Sequence, residues 1–166
     1  MIAYDELESP IGRLWVAVSE RGLCRIEFDV PEEEFVADLR RRFGQEPARE
    51  PAAAATARTQ LLEYLAGERK TFELPVDLHS AGEFQARVWS ACRAIPYGGA
   101  RSYGELAREL GRPGAARAVG NALARNPLPL VIPCHRVRRS EGALGGFRGG
   151  PAAKEWLLNM EAGRTY

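Results

Sequence analysis

Cys134 and His135 stand side by side in the stretch PLPLVIPCHRVRRS, residues 127–140, where an apolar run ends at Pro133 and arginines follow. The chain holds three cysteines and two histidines, so this adjacency is the first place to look for covalent chemistry. A thiol attacks as its thiolate, and a neighbouring imidazole and local arginine charge both favour that form. The default for a lone cysteine is an inert place in the core. Cys134 departs from it because basic residues begin directly after it, which sets it where core meets surface. Cys92 keeps the default: it shares with Phe84, Val88, Ala91 and Ile95 one apolar face at helical spacing. So does Cys24, which lies with Leu23 and Ile26 in a strand-like run. The run "LPLVIP" reads as a buried extended segment. Neighbours on an extended chain point to opposite sides, so sequence adjacency does not assure direct contact between Cys134 and His135, and a water relay is open to them.

Three cysteines cannot complete a disulfide framework, and none lies in a Cys-x-x-Cys pair. With His79 and His135 the only histidines, a zinc site would need ligands scattered along the chain. Neither metal nor cofactor is expected.

The elements that must position this pair follow from pattern. "IAYDELES", "RLWVAVS" and "LCRIEF" read as strands separated by short turns carrying glycine. "PEEEFVADLRRRF" has glutamates at its start and arginines at its end, the charge order a helix dipole favours. A second helix is predicted over about 52–66, stopped by Gly67, and "TFELPVDL" alternates as another strand would. From Gly82 the pattern turns helical. Ser102 with Glu105 forms a capping-box signal for "YGELARELG", and "RPG" then turns into "AARAVGNALARN". Two short helices joined by a glycine-containing turn read as a helix-turn-helix. Arg117 lies in the first turn of the second helix, where the dipole disfavours a cation, among the small Ala115, Ala116, Ala118 and Gly120. That placement makes sense if the helix start faces an anion; a merely exposed arginine is the plain alternative.

Charge divides the chain the same way. Residues 1–83 hold 10 Lys+Arg and 17 Asp+Glu, a balance of −7, and residues 84–166 hold 13 and 5, a balance of +8. A basic half asks for an anionic partner, nucleic acid first, although charge alone suits a solvated face equally. Only Lys70 and Lys154 of the 23 basic residues are lysine, a bias that a GC-rich genome would produce. With 45% hydrophobic and 27% charged residues over 166 positions, the composition is that of a soluble globular protein with one core or two small ones. No apolar run approaches the roughly 20 residues that span a bilayer, and "MIAYDELESP" has no signal-peptide layout. The expectation is a cytoplasmic, monomeric protein with no membrane partner.

The motif "IPCHRV" resembles the active-site motif of the O6-alkylguanine-DNA alkyltransferases, suicide DNA-repair proteins. "FQARVWSACRAIPYGGARSYGELA" is similar to that family's helix and helix-turn-helix entry, and "AARAVGNALARNPLPLVIPCHRV" to its recognition helix and nucleophile. "GALGGFRGGPAAKEWLLNMEAG" is similar to its closing loop and last helix, so the likeness runs without gaps from residue 83 to 163. The first half resembles the family's small ribonuclease-H-like domain more loosely. The resemblance implies an α+β chain: a ribonuclease-H-like α/β domain over 1–80 and a winged helix-turn-helix alkyltransferase domain over 81–166.

It also implies roles. Cys134 matches the nucleophile, His135 the water-linked base, Glu161 the carboxylate orienting it, and Asn126 the brace between recognition helix and nucleophile. Tyr103 matches the tyrosine that turns out the nucleotide and donates to the base, and Arg117 the finger that fills the vacated stack. Ala116, Ala118 and Ser102 fall with Arg117 and Tyr103 on the DNA-binding side. Gly145, Phe147, Arg148 and Val137 correspond to the alkyl and base pocket. Phe147 stands where a tyrosine is common, and Arg148 where a small polar residue is frequent. The zinc ligands of some relatives have no matching set, since Cys24 lacks partner histidines. The implied partner is double-stranded DNA carrying O6-alkylguanine, with O4-alkylthymine beside it, bound through the minor groove. Two other functions fit parts of the pattern: a non-repairing module that recognises alkylated bases, and a Cys-His hydrolase. The first needs no nucleophile, and the second leaves the helix-turn-helix and the basic half unexplained.

Overall fold

Leu14, Trp15, Val16 and Ala17 are buried without interruption, which requires a strand covered on both faces. This strand, β2 (Leu14–Ser19), lies between β1 (Ala3–Leu7) and β3 (Gly22–Phe28), antiparallel to both. The computed structural model describes residues 1–79, 81–140 and 142–164, and divides the chain into two units, Met1–His79 and Ser80–Tyr166. In the first unit α1 (Glu32–Phe43) follows the three strands, its first turn acidic and its last turn basic. Two residues of β4 (Ala48–Arg49) then pair parallel to β1, completing the order β3-β2-β1-β4. Alternation along β1 and β2 sends Tyr4, Trp15 and Ala17 to one face, where they meet Cys24 of β3 and Phe35 and Leu39 of α1. Trp15 and Phe35 stack with ring centroids 5.6 Å apart. The second helix, α2 (Pro51–Leu65), starts on a proline whose missing N–H costs nothing at that position, and packs against β1 and β2.

One predicted strand does not form. "TFELPVDL" makes a single bridge to β3, with Leu23 N donating to Pro75 O (2.9 Å) and Asp77 N to Leu23 O (2.8 Å). Pro75 has no N–H to extend the ladder, so pairing stops there. The approach is close enough to dictate Gly22: a Cβ there would lie 2.3 Å from Pro75 O, at a φ of +141°. The two-residue β4 carries no periodic signal.

The second unit starts with α3 (Glu83–Arg93), which buries Val88, Trp89 and Cys92. Next come β5 (Arg101–Ser102) and α4 (Tyr103–Glu109), then a turn and α5 (Ala116–Ala124). The predicted cap forms: Ser102 Oγ accepts from Glu105 N (3.0 Å) and Glu105 Oε1 accepts from Ser102 N (2.9 Å). Trp89 Nε1 donates to Ala122 O (2.8 Å), which ties α3 to α5. A 3-10 turn at Cys134–Arg136 leads into β6 (Val137–Arg138), parallel to β5. Last is α6 (Pro151–Glu161). No helix among the described residues is long and apolar enough to cross a membrane.

Candidate active site

The segment before Cys134 is not the extended run its composition suggests. Asn126, fully buried, donates from Nδ2 to Ile132 O (2.8 Å) and accepts from Leu128 N at Oδ1 (2.9 Å). One side chain thus closes the loop 126–132, and Leu130 takes a φ of 77° within it. Cys134 then opens the 3-10 turn, its N donating to Ile132 O (2.7 Å). Asn126 therefore fixes where the thiol sits.

Cys134 is partly exposed, and it faces a cavity of about 310 Å³. Tyr103 from the start of α4, Gly120, Leu123 and Ala124 from α5, and Phe147 and Arg148 from the loop before α6 share the wall. Burial pushes the thiol above its ordinary range, while the Asn126 amide and the Arg148 and Lys154 charges pull it back. Burial likewise raises the Tyr103 phenol, so that it stays a protonated donor. Cys24 and Cys92 are buried, and desolvation lifts Cys24 to about 12 and Cys92 further still.

Behind the thiol, His135 Nε2 lies 2.8 Å from Glu161 Oε2, both side chains essentially inaccessible. Desolvation lowers the imidazole's pKa, Glu161 opposes that, and Arg136 and Lys154 reinforce it. The Phe147 ring stands edge-on to the imidazole at 6.3 Å. Arg136 is buried and reaches Glu161 with two nitrogens, at 2.9 Å each.

Lys154, fully buried on α6, donates to Val137 O (2.8 Å) and to the carbonyls of Leu144 and Gly146. It thereby pins the loop roofing the pocket to β6. Neither Arg136 nor Lys154 stood out by position in the sequence. The one available signal for Lys154 was its type, a lysine in a chain that otherwise uses arginine at every basic position but Lys70. An ammonium can direct its donors at three converging carbonyls, where a flat guanidinium cannot.

Other predicted positions are placed differently. Val137 is wholly buried in β6 and does not line the cavity. Ser102 is also buried, with Oγ accepting from Glu105 N and its own N–H donating to Glu105 Oε1 within the cap of α4. Gly145 packs on Tyr103: a Cβ there would lie 2.8 Å from the phenol oxygen, at a φ of +77°. Arg117 and Ala118 are exposed in the first turn of α5, with Ala116 half-buried beside them. The wall residues Gly120, Leu123 and Ala124 were not anticipated, because only the packing of α5 over the thiol turns them inward, and Pro129 comes to the wall from the loop that Asn126 closes. Among the described residues no group of three or more His, Cys, Asp or Glu side chains is placed to hold a metal ion.

Residues 83–163 match the family model of the 6-O-methylguanine DNA methyltransferase DNA-binding domain, and residues 2–78 that of its ribonuclease-like domain. The chain belongs to the 6-O-methylguanine DNA methyltransferase family. A methylated-DNA–protein-cysteine methyltransferase of Mycolicibacterium paratuberculosis is 43% identical over 97% of this chain and 93% of its own length. The constitutive enzyme of that name from Bacillus subtilis is 42% identical over 95% and 94%. The crystal structure of Mycobacterium tuberculosis OGT in complex with DNA superposes with a TM-score of 0.84 at 40% identity, covering 98% of this chain and 94% of that one. Within the family's architecture, α4 and α5 form the helix-turn-helix, and the first unit is the ribonuclease-like domain.

Proposed function

We propose that the chain repairs DNA by moving the alkyl group of O6-alkylguanine onto Cys134, once per molecule. The observation that carries this reading is the shared wall: the cavity at the thiol is lined by Gly120, Leu123 and Ala124 of the helix-turn-helix's second helix. A base turned out of a duplex docked on that helix arrives at the sulfur. Tyr103, on the same wall, meets its O6 edge.

The reaction balances with these residues. His135, through a water, takes the thiol proton at Nδ1, while its Nε2 faces Glu161 Oε2. The thiolate attacks the sp³ alkyl carbon, a C–S bond forms, and the C–O bond breaks. The electron pair stays on the guanine oxygen, where the Tyr103 hydroxyl stabilises it until the base regains a proton. A thioether is not hydrolysed at a useful rate, so the protein is spent. A Cys-His hydrolase would need an ester-like intermediate that water releases.

The test is stoichiometry. Incubation with excess duplex carrying labelled O6-methylguanine should add one methyl group, mapped by peptide mass spectrometry to Cys134, and then stop. Continued turnover, or label on Cys24 or Cys92, would refute the proposal. The same assay with O4-methylthymine duplexes reads the wider substrate range.

Flipping a base out of the stack costs a few kcal/mol, which an inserted side chain offsets. Arg117, exposed at the start of α5 and flanked by small residues, is suited to enter the minor groove and fill the gap. Arg117→Ala should lower duplex repair by roughly 10- to 100-fold, equivalent to about 1.4–2.8 kcal/mol of lost support for flipping. Transfer from free O6-benzylguanine, which needs no flipping, should change far less. Equal losses in both reactions would place Arg117 in the pocket or the fold instead.

A further inference from the structure

Glu161 is held by more than its histidine. Oε1 accepts from Arg136 Nε (2.9 Å) and Gly98 N (3.2 Å), and Oε2 accepts from Arg136 Nη2 (2.9 Å) besides facing His135 Nε2 (2.8 Å). Arg136 is fixed in turn, its Nη1 donating to Ile95 O (2.7 Å) at the end of α3 and its guanidinium lying 5.7 Å from the Tyr97 ring centroid. We propose that Arg136 is a positioning residue that keeps His135 a neutral imidazole, and so a base, by supplying the positive charge the buried Glu161 would otherwise draw from the histidine. This deepens the reading of His135 as the base for Cys134 and rests on it.

The argument is one of charge in a dry place. A buried histidine–carboxylate pair standing alone carries −1 with a neutral ring and 0 with a protonated one. Burial then favours the protonated ring, which has no lone pair to accept the thiol's proton. With Arg136 added, the neutral ring gives a group of zero net charge, and protonation makes it +1. The preference inverts. Moving the thiol proton onto His135 then forms a thiolate and an imidazolium together, so the site stays balanced through the step.

The clamp also selects the tautomer. A carboxylate that receives three hydrogen bonds from donors unable to release a proton stays ionised and can only accept from Nε2. The neutral ring therefore carries its hydrogen on Nε2 and its lone pair on Nδ1. The charged groups acting on the ring include Glu161 and Lys154 from α6 and Arg136 from the same turn. Burial and both cations lower the ring's proton affinity, against Glu161 alone.

His79 and His135 are the only histidines, so the His135 ring can be followed by itself in a titration by NMR of 15N-labelled histidine. In the unmodified chain, His135 should be neutral at pH 7, with its hydrogen on Nε2. Arg136→Gln should raise its apparent pKa by at least about one unit, a tenfold change in proton affinity. Arg136→Lys, which keeps the charge and loses the fork, should leave the ring mostly neutral at pH 7. The rate of Cys134 alkylation by iodoacetamide against pH, read on the same samples, should shift in the Gln variant and stay near parent in the Lys variant. A purely structural arginine would alter stability in both and move neither profile.

A protonated His135 in the parent at pH 7 overturns the proposal whether or not the variants fold. An unmoved His135 in folded Arg136→Gln, or a full unit's rise in Arg136→Lys, overturns it too. The titration uses no DNA and no alkyl transfer. A protein that fails to take up a methyl group yet titrates as described would sink the repair reading and leave the role of Arg136 standing.

Discussion

Cys134→Ala should abolish alkyl transfer and leave binding to an O6-methylguanine duplex within about threefold of the parent, because phosphate and groove contacts dominate affinity. The loss should be complete because neither other thiol is placed to substitute. Cys24 and Cys92 are buried in separate units, and desolvation holds both far from ionisation at neutral pH. The alanine variant should therefore form a lasting complex with damaged DNA, seen as an unchanged mobility shift with no label in the protein. Residual labelling would mean that the nucleophile is elsewhere. Binding weakened a hundredfold would mean that the sulfur's neighbourhood, and with it the pocket, had collapsed.

Glu161→Ala has the second largest effect, and it falls on stability as well as rate. The substitution strands the Arg136 guanidinium, whose side chain is 7% exposed, without its carboxylate, and leaves Gly98 N without its acceptor. Breaking a buried ion pair from one side costs about 3–5 kcal/mol. The urea midpoint of the second unit should fall accordingly, and transfer should slow because His135 loses its orienting partner. Removing both charges together tests the cause: Glu161→Leu with Arg136→Leu should recover most of the lost stability, since an apolar pair of similar volume is often neutral or better. It should not recover transfer, which needs the oriented ring. A drop below about 1 kcal/mol in the single variant would mean that water reaches the pair and that it behaves as an exposed salt bridge.

How much of this was legible in the sequence varies element by element. The three leading strands, α1, α2, α3 and the cap of α4 were readable because their signals are local: alternation, charge order along a helix, a serine three residues before a glutamate. The strand read at "TFELPVDL" failed because alternation says nothing about whether a proline will interrupt the ladder. The extended reading before Cys134 failed for a related reason. Asn126 bends that segment through two hydrogen bonds to the backbone, and a side chain's choice of partner is not written in apolar content.

The choice of Cys134 as candidate nucleophile, the histidine beside it and the basic half were determined by the sequence itself, since each depends on residue type and order alone. What only the tertiary structure decided is which charges are buried. Arg136, Arg138 and Arg139 look alike along the chain, yet the first is enclosed and the other two are exposed. Arg136 meets its partners 25 and 41 residues away, at Glu161 and Ile95. Lys154 holds carbonyls on β6 and the pocket loop. A buried charge is tolerated only where distant groups converge on it, and that convergence exists only once the chain has folded.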